Sequence, residues 1–352
     1  MTKRVYLDHA ATSPMRPEAI AAMHEGMARW ANPSSPHAEG RAARAALEEA
    51  RGRIKVALGW TGELIFTSGA SEALWIALNR SKHKRRIVSA VEHDAVFRAA
   101  PGAEVVPVAD GEVDVDALRE ALSQGERSVV AIQSINSETG TSLLPVAGRN
   151  DPVDVVHAAG GIALADCSQS LGRIPPDVDM AVVSAHKLGG PVGVGALLLR
   201  DLALLDPIGG HEFGYRMGTE NLPAILGFAA ALALGGPEGW PTTAEDRLDF
   251  KNDVLRSGEV ISPGVQVGHI LAIAMPRLSA AAQLIRFDAM GFAVSAGSAC
   301  SSGTLKRSRA LEAFGIDEDT AARTIRVSFG WNTTADDIES FRDAWLELAA
   351  SA

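Results

Sequence analysis

IALADCSQSLGRIPPDVDMAVVSAHKLGGPVGVGALLLR, residues 162–200, decides how the chain is read. Two short apolar runs end on polar residues: IALAD stops at Asp166 with Gln169 just beyond, and DMAVVS stops at Ser184 with His186 and Lys187 following. Short runs of this kind, bounded by turn residues, read as buried strands. A lysine at the end of such a strand is costly unless its charge is used or its amine is neutral. Taken alone, Lys187 reads as a surface residue after a strand. The glycines of GGPVGVG lead into another strand rather than opening a helix, and GxxxxGK[ST] is absent, so no nucleotide fingerprint is met.

Working outward, the same texture recurs. ELIFTS (63–68), IVSA (87–90), EVVPVA (104–109) and SVVAIQS (128–134) alternate with helical stretches. Strands alternating with helices predict an α/β fold with a mostly parallel sheet covered on both faces. Ligands of such sheets sit beyond the carboxyl ends of the strands, so the polar residues closing each run are the place to look. Upstream, residues 16–30 and the Ala-rich 38–58 have helical periodicity. Beyond residue 222 the texture changes through GGPEGWPTTAED (235–246) to a small α+β unit, with HILAIAMP and TIRVSF as strands and AAQLIRFDAM and ADDIESFRDAWLELAA as helices. The expected organisation is an N-terminal arm (1–15) joining the small domain, a large domain (16–235) and a small domain (236–352).

The strand ends carry chemistry that fits pyridoxal 5′-phosphate (PLP). Its protonated ring is an electron sink and requires a carboxylate at the pyridine nitrogen, for which Asp166 stands one strand end before Lys187. Gln169 is a candidate for the ring phenolic oxygen. FTSGASEALWIALN (66–79) passes from strand through Ser68 and Gly69 into a helix at Ala70 and Ser71, whose free N–H groups suit a phosphate. His93, in EHDAV (92–96), follows a strand and can stack on a flat ring or move a proton near neutral pH. Cys300 lies in VSAGSACSSGTL (294–305), whose small-residue composition predicts a mobile loop with an exposed thiol. Each feature alone has a plain structural reading: a helix cap, a helix start, a packed histidine, a buried thiol.

Bulk properties bound the rest. The chain has 352 residues, 47% hydrophobic and 22% charged, values of a soluble globular protein long enough for two domains. A formal charge of −10 leaves no basic footprint for nucleic acid or an anionic membrane. MTKRVYLDHAATSP meets Asp8 and His9 before any apolar signal region develops, and no run is long enough to span a membrane, so a cytoplasmic protein is expected. The two cysteines, Cys167 and Cys300, stand in unlike contexts, which argues against a disulfide framework.

Together the segments YLDHAATSP, NPSSPHAEGR, FTSGASE, EHDAV, INSETG, DCSQSLG, SAHKLGGPVGVGALLLR, GGHEFGYRMGTEN, SAGSACSSG and IRVSFGWNTT resemble, in order and spacing, the cysteine desulfurases of the class V aminotransferase group, within the fold-type I PLP enzymes. The resemblance implies conversion of L-cysteine to L-alanine with sulfur passed to Cys300 as a persulfide for an acceptor or scaffold protein. It implies that Lys187 is the Schiff-base lysine, Asp166 the pyridine-nitrogen partner, Gln169 the phenolic-oxygen donor and His93 the stacking histidine and proton shuttle. It matches Ala70, Ser71, Ser184 and His186 to the phosphate cradle, Asn136 and Ser137 to cofactor contacts, and Arg326 to the grip on the substrate carboxylate. Thr219 matches a residue reaching the cofactor phosphate of a neighbouring subunit, so a homodimer with shared active sites is implied. The Cys300 loop matches the long-loop branch. Departures are Ser137 where a second asparagine is usual, Ser71 for a threonine, Trp331 for an arginine, Cys167 and Ser168 for small residues, and trimming near residues 201–210 and 236–268. An aminotransferase, a selenocysteine lyase-like enzyme and a dulled homologue serving as a binding subunit are the competing readings.

Overall fold

Seven strands form the main sheet, in the order Glu63–Thr67, Gly195–Leu199, Met180–Ser184, Ile162–Asp166, Ser128–Gln133, Arg85–Ser89 and Glu104–Val106. This computed structural model describes residues 4–29, 31–144, 151–296 and 308–351. Gly195–Leu199 runs antiparallel to both neighbours, and the remaining pairs are parallel. The mostly parallel α/β sheet read from the sequence is therefore present.

Both faces of this sheet are buried, which explains the continuous apolar runs. Ile65, Val88, Val129, Leu164 and Val182 pack on one side with Leu74 and Ala77 of the helix Ala70–Arg80. Their neighbours Phe66, Ile87, Val130, Ala163 and Val183 pack on the other with Leu47, Ile54 and Phe228. The two-residue period of a strand thus sorts one run into two cores. EVVPVA does not continue as one strand. Only Glu104–Val106 joins the sheet, while Val108–Ala109 pairs with Glu112–Val113. Pro107 has no N–H with which to extend the ladder, so the chain breaks there.

A second, three-stranded antiparallel sheet joins Glu259–Ile261, Ile270–Ala274 and Thr324–Ser328. The helices Ala244–Leu255, Ala280–Ala289 and Ala335–Ser351 contribute Phe250, Phe287, Phe341 and Trp345 to its core. Thr243 and Asp246 form a capping box that starts the first of these helices just past the turn-rich linker. The N-terminus pairs with this unit: Val5–Tyr6 runs parallel to Phe292–Ala293, and Asp8 bridges Ser328. On this pairing we propose the arm at residues 1–15 and the two domains at 16–235 and 236–352. Among the described residues no helix is long and apolar enough to cross a membrane.

Candidate active site

The parallel strands of the main sheet deliver their carboxyl ends, Thr67, Ser89, Gln133, Asp166 and Ser184, to one edge. A cavity of about 310 Å³ opens there, and its lining includes Ala70, Ser71, His93, Ser137, Asp166, Gln169, Ser184, His186 and Lys187. Residues scattered over more than a hundred positions of sequence are brought together because the connecting helices return each strand in the same direction.

Lys187 lies in a 3-10 turn, Ala185–Leu188, that follows the strand ending at Ser184. Ser13 Oγ donates to the Lys187 carbonyl at 3.1 Å and fixes the turn from the N-terminal arm. Burial pushes the Lys187 amine down to about 8, against the opposing pull of the Asp166 carboxylate. Asp166 is buried, and its Oδ1 accepts from Ser168 N at 2.9 Å and from Ser168 Oγ at 2.5 Å. The Gln169 amide donates to the Ala10 carbonyl at 2.9 Å, which leaves a second amide proton.

Opposite these groups the helix Ala70–Arg80 begins without any side-chain cap. Its first-turn N–H groups have no intrahelical partner, and those of Ala70 and Ser71 belong to residues of the cavity wall. Gly69 makes the entry with φ 145, a conformation that side-chain-bearing residues rarely adopt. Gly195 makes room for it, since a Cβ there would meet the Val183 carbonyl oxygen at 2.7 Å and Gly69 Cα at 2.9 Å. His93 caps the helix Asp94–Ala99, its Nδ1 accepting from Ala95 N at 3.2 Å, so the neutral ring carries its proton on Nε2. Its pKa is lowered by burial and then by the Lys187 charge. His186 meets Thr12 Oγ1 at 3.0 Å, and burial pushes it down to about 4. Both rings are neutral at neutral pH.

Other expected residues fall elsewhere. Asn136 is buried outside the cavity lining and ties its own turn: Oδ1 accepts from Glu138 N and Thr139 N, both at 2.9 Å, and Nδ2 donates to the Val91 carbonyl at 3.2 Å. Its polar atoms are used by the backbone, so Ser137 takes the place on the wall. Arg326, also buried and outside the lining, donates from Nη1 to the Ser137 carbonyl at 3.0 Å and pairs through Nη2 with Asp8 Oδ1 at 2.7 Å. Thr219 is exposed and outside the cavity of its own chain. Cys300 lies outside the described residues. Cys167 is buried, with its thiol pushed up by desolvation, in keeping with a packing role.

The structure also gives partners to groups for which the sequence named no role. Ser168 holds Asp166, Asp8 holds Arg326 from 318 positions away, and Glu72 accepts from Ser68 N and pairs with Arg216 Nε at 3.4 Å. Trp331, in place of an arginine, donates from Nε1 to the Pro14 carbonyl at 2.8 Å, and the Arg16 guanidinium lies 5.4 Å from its ring centroid. For Asp8 a signal was present, an acidic residue between the apolar Leu7 and the motif that follows, but nothing local names its partner. The wall as a whole fits PLP: a buried carboxylate for the ring nitrogen, an amine with lowered pKa, a neutral imidazole and unpaired helix-start amides for a phosphate.

Comparison with known proteins supports the same reading. The Aminotransferase class-V family model matches residues 5–341. A cysteine desulfurase of Cereibacter sphaeroides is 36% identical over 366 residues, covering 96% of this chain and 93% of that one. An IscS-like cysteine desulfurase of Mycobacterium tuberculosis is 36% identical, covering 99% of this chain and 95% of its own. The X-ray structure of a NifS-like protein from Rickettsia africae superposes with a TM-score of 0.86 at 28% identity, over 99% of this chain and 100% of the other.

Proposed function

Since the chain belongs to the class V aminotransferase family and is a PLP-dependent cysteine desulfurase, we propose that Lys187 and Cys300 are the two residues through which it works. The observation that carries the first half is the meeting of Lys187, Asp166, His93 and the helix start at Ala70 in one cavity. Bound PLP supplies an electron sink for the substrate α-carbon. Lys187 holds the cofactor and then accepts the α-proton, a task suited to an amine near 8. Asp166, oriented by two hydrogen bonds from Ser168, would partner the ring nitrogen. His93 holds a proton at Nε2, and Ala70, Ser71, Ser184 and His186 would hold the phosphate. To Arg326, whose Nη2 is held by Asp8 Oδ1, we assign the substrate carboxylate, a charge that a guanidinium suits.

Sulfur transfer falls to Cys300. Its thiolate attacks the substrate sulfur, forming a sulfur–sulfur bond while the carbon–sulfur pair passes to the β-carbon, which is protonated to yield L-alanine. The persulfide is then delivered to an acceptor protein. We further propose a homodimer in which Thr219 serves the partner subunit's phosphate site. The test is intact mass after incubation with L-cysteine. Addition of one sulfur atom at Cys300, with alanine released and both lost in Cys300→Ala while the cofactor absorbance persists, is the expected result. Transamination that survives Cys300→Ala would sink the desulfurase assignment of Cys300.

A further inference from the structure

The described residues flanking the Cys300 segment are fastened to groups of the active site. On the N-terminal side, Ser295 and Arg326 exchange backbone hydrogen bonds at 3.2 and 2.5 Å. On the C-terminal side, Ser308 is buried and bonds in two directions: Oγ donates to Glu138 Oε2 at 2.6 Å and accepts from Leu311 N at 3.0 Å. Glu138 neighbours Ser137, whose carbonyl takes Arg326 Nη1. Arg309 pairs with Asp94, the first residue of the helix that His93 caps, and its guanidinium lies 3.8 Å from the Phe97 ring centroid. The point at which the chain returns from Cys300 is thus held against the His93 helix and the Ser137 turn at once.

Resting on the reading of Cys300 given above, we infer that Ser308 and Arg309, gripping Glu138, Asp94 and Phe97, are positioning residues for sulfur transfer, needed for the thiol to reach substrate sulfur and not for substrate to bind. Magnitudes separate this from a simple tether. If the connection were only a tether, freeing Ser308 and the short helix Arg309–Ala313 would lengthen it by about half, which lowers the closure probability only about twofold. Loss of a fixed approach costs far more, since misplacement of about 1 Å can slow a reaction on the order of a hundredfold. The Arg309–Asp94 pair is exposed and adds little to stability, so its removal should leave the fold intact.

The test uses the PLP-loaded enzyme and a Ser308→Ala, Arg309→Ala double variant. Two rates are followed with L-cysteine in deuterated buffer: exchange at the substrate α-carbon, and sulfur addition at Cys300 by intact mass in a single turnover. Exchange and KM within twofold of wild type, with sulfur addition slowed at least tenfold and regained in Ser308→Thr with native Arg309, is the expected pattern. Sulfur addition within twofold of wild type overturns the inference, as does a parallel fall in exchange. Should the double variant melt early, Arg309→Gln alone carries the same two readouts. Wild-type protein that exchanges the α-proton yet never gains sulfur at Cys300 would overturn the reading of Cys300 and this inference with it, whereas a failure confined to the variants leaves that reading standing.

Discussion

At the level of single residues the site is a set of pKa and hydrogen-bond adjustments that the strand-end positions make possible. Lys187 was legible because a lysine closing a buried strand demands a use, and Asp166 because a carboxylate stands at the previous strand end. Ser168 stands out in the sequence only as a departure from the family's small residue, yet it supplies two donors to Asp166 Oδ1. Hydrogen bonds to a carboxylate are worth about 1.5–3 kcal/mol. Ser168→Ala removes the hydroxyl donor and keeps the backbone one, so the Asp166 carboxylate is held in place less firmly. Cofactor dissociation should become easier by about tenfold, read as loss of absorbance on dialysis. Retention equal to wild type would show that the backbone donor suffices.

Between elements, Glu92 joins two strands whose pairing the runs alone do not reveal. Its Oε1 accepts from Ser89 Oγ at 2.6 Å and from Gln133 N at 2.7 Å, linking the ends of neighbouring strands just before His93. Oε2 is buried with no partner among the described residues, and desolvation pushes the group up to about 8. A folded pKa above the unfolded one means that the folded state binds the extra proton, so the stability this group contributes is complete below about 4.5 and lost as pH rises to about 8. Glu92→Gln keeps the acceptor and abolishes the titration. Its denaturant midpoint should fall less than that of wild type between those two pH values, and parallel curves would refute the assignment. The EHDAV motif suggested only the histidine. The role of the acid depends on Gln133, which is adjacent only in the sheet.

Across the whole molecule, acid lability should trace to buried and half-buried histidines. His9, His186 and His269 are each pushed down to about 4 by desolvation. A depressed histidine contributes stability that is present above about 6.5 and is lost as pH falls through about 4, because the unfolded chain takes up protons first. His269 packs edge-on to Trp240 at 5.9 Å, and its Nε2 is buried with no hydrogen-bond partner among the described residues. His269→Gln should therefore lose less stability than wild type between those limits, measured by urea unfolding at each pH, and an unchanged pH slope would sink this account. The apolar period of two and the strand–helix alternation sufficed to establish a mostly parallel sheet with ligand groups at its carboxyl edge, because those signals are local and each buried run must satisfy its own backbone. Ten ordered motifs likewise named the family before any coordinate. What local signals could not contain is which distant groups meet. Arg326 is held by Asp8 and Ser308 is tied to Glu138, since these pairings depend on how the N-terminal arm and the second sheet dock. A contact between residues hundreds of positions apart leaves no period in either segment, so its geometry exists only once both are folded.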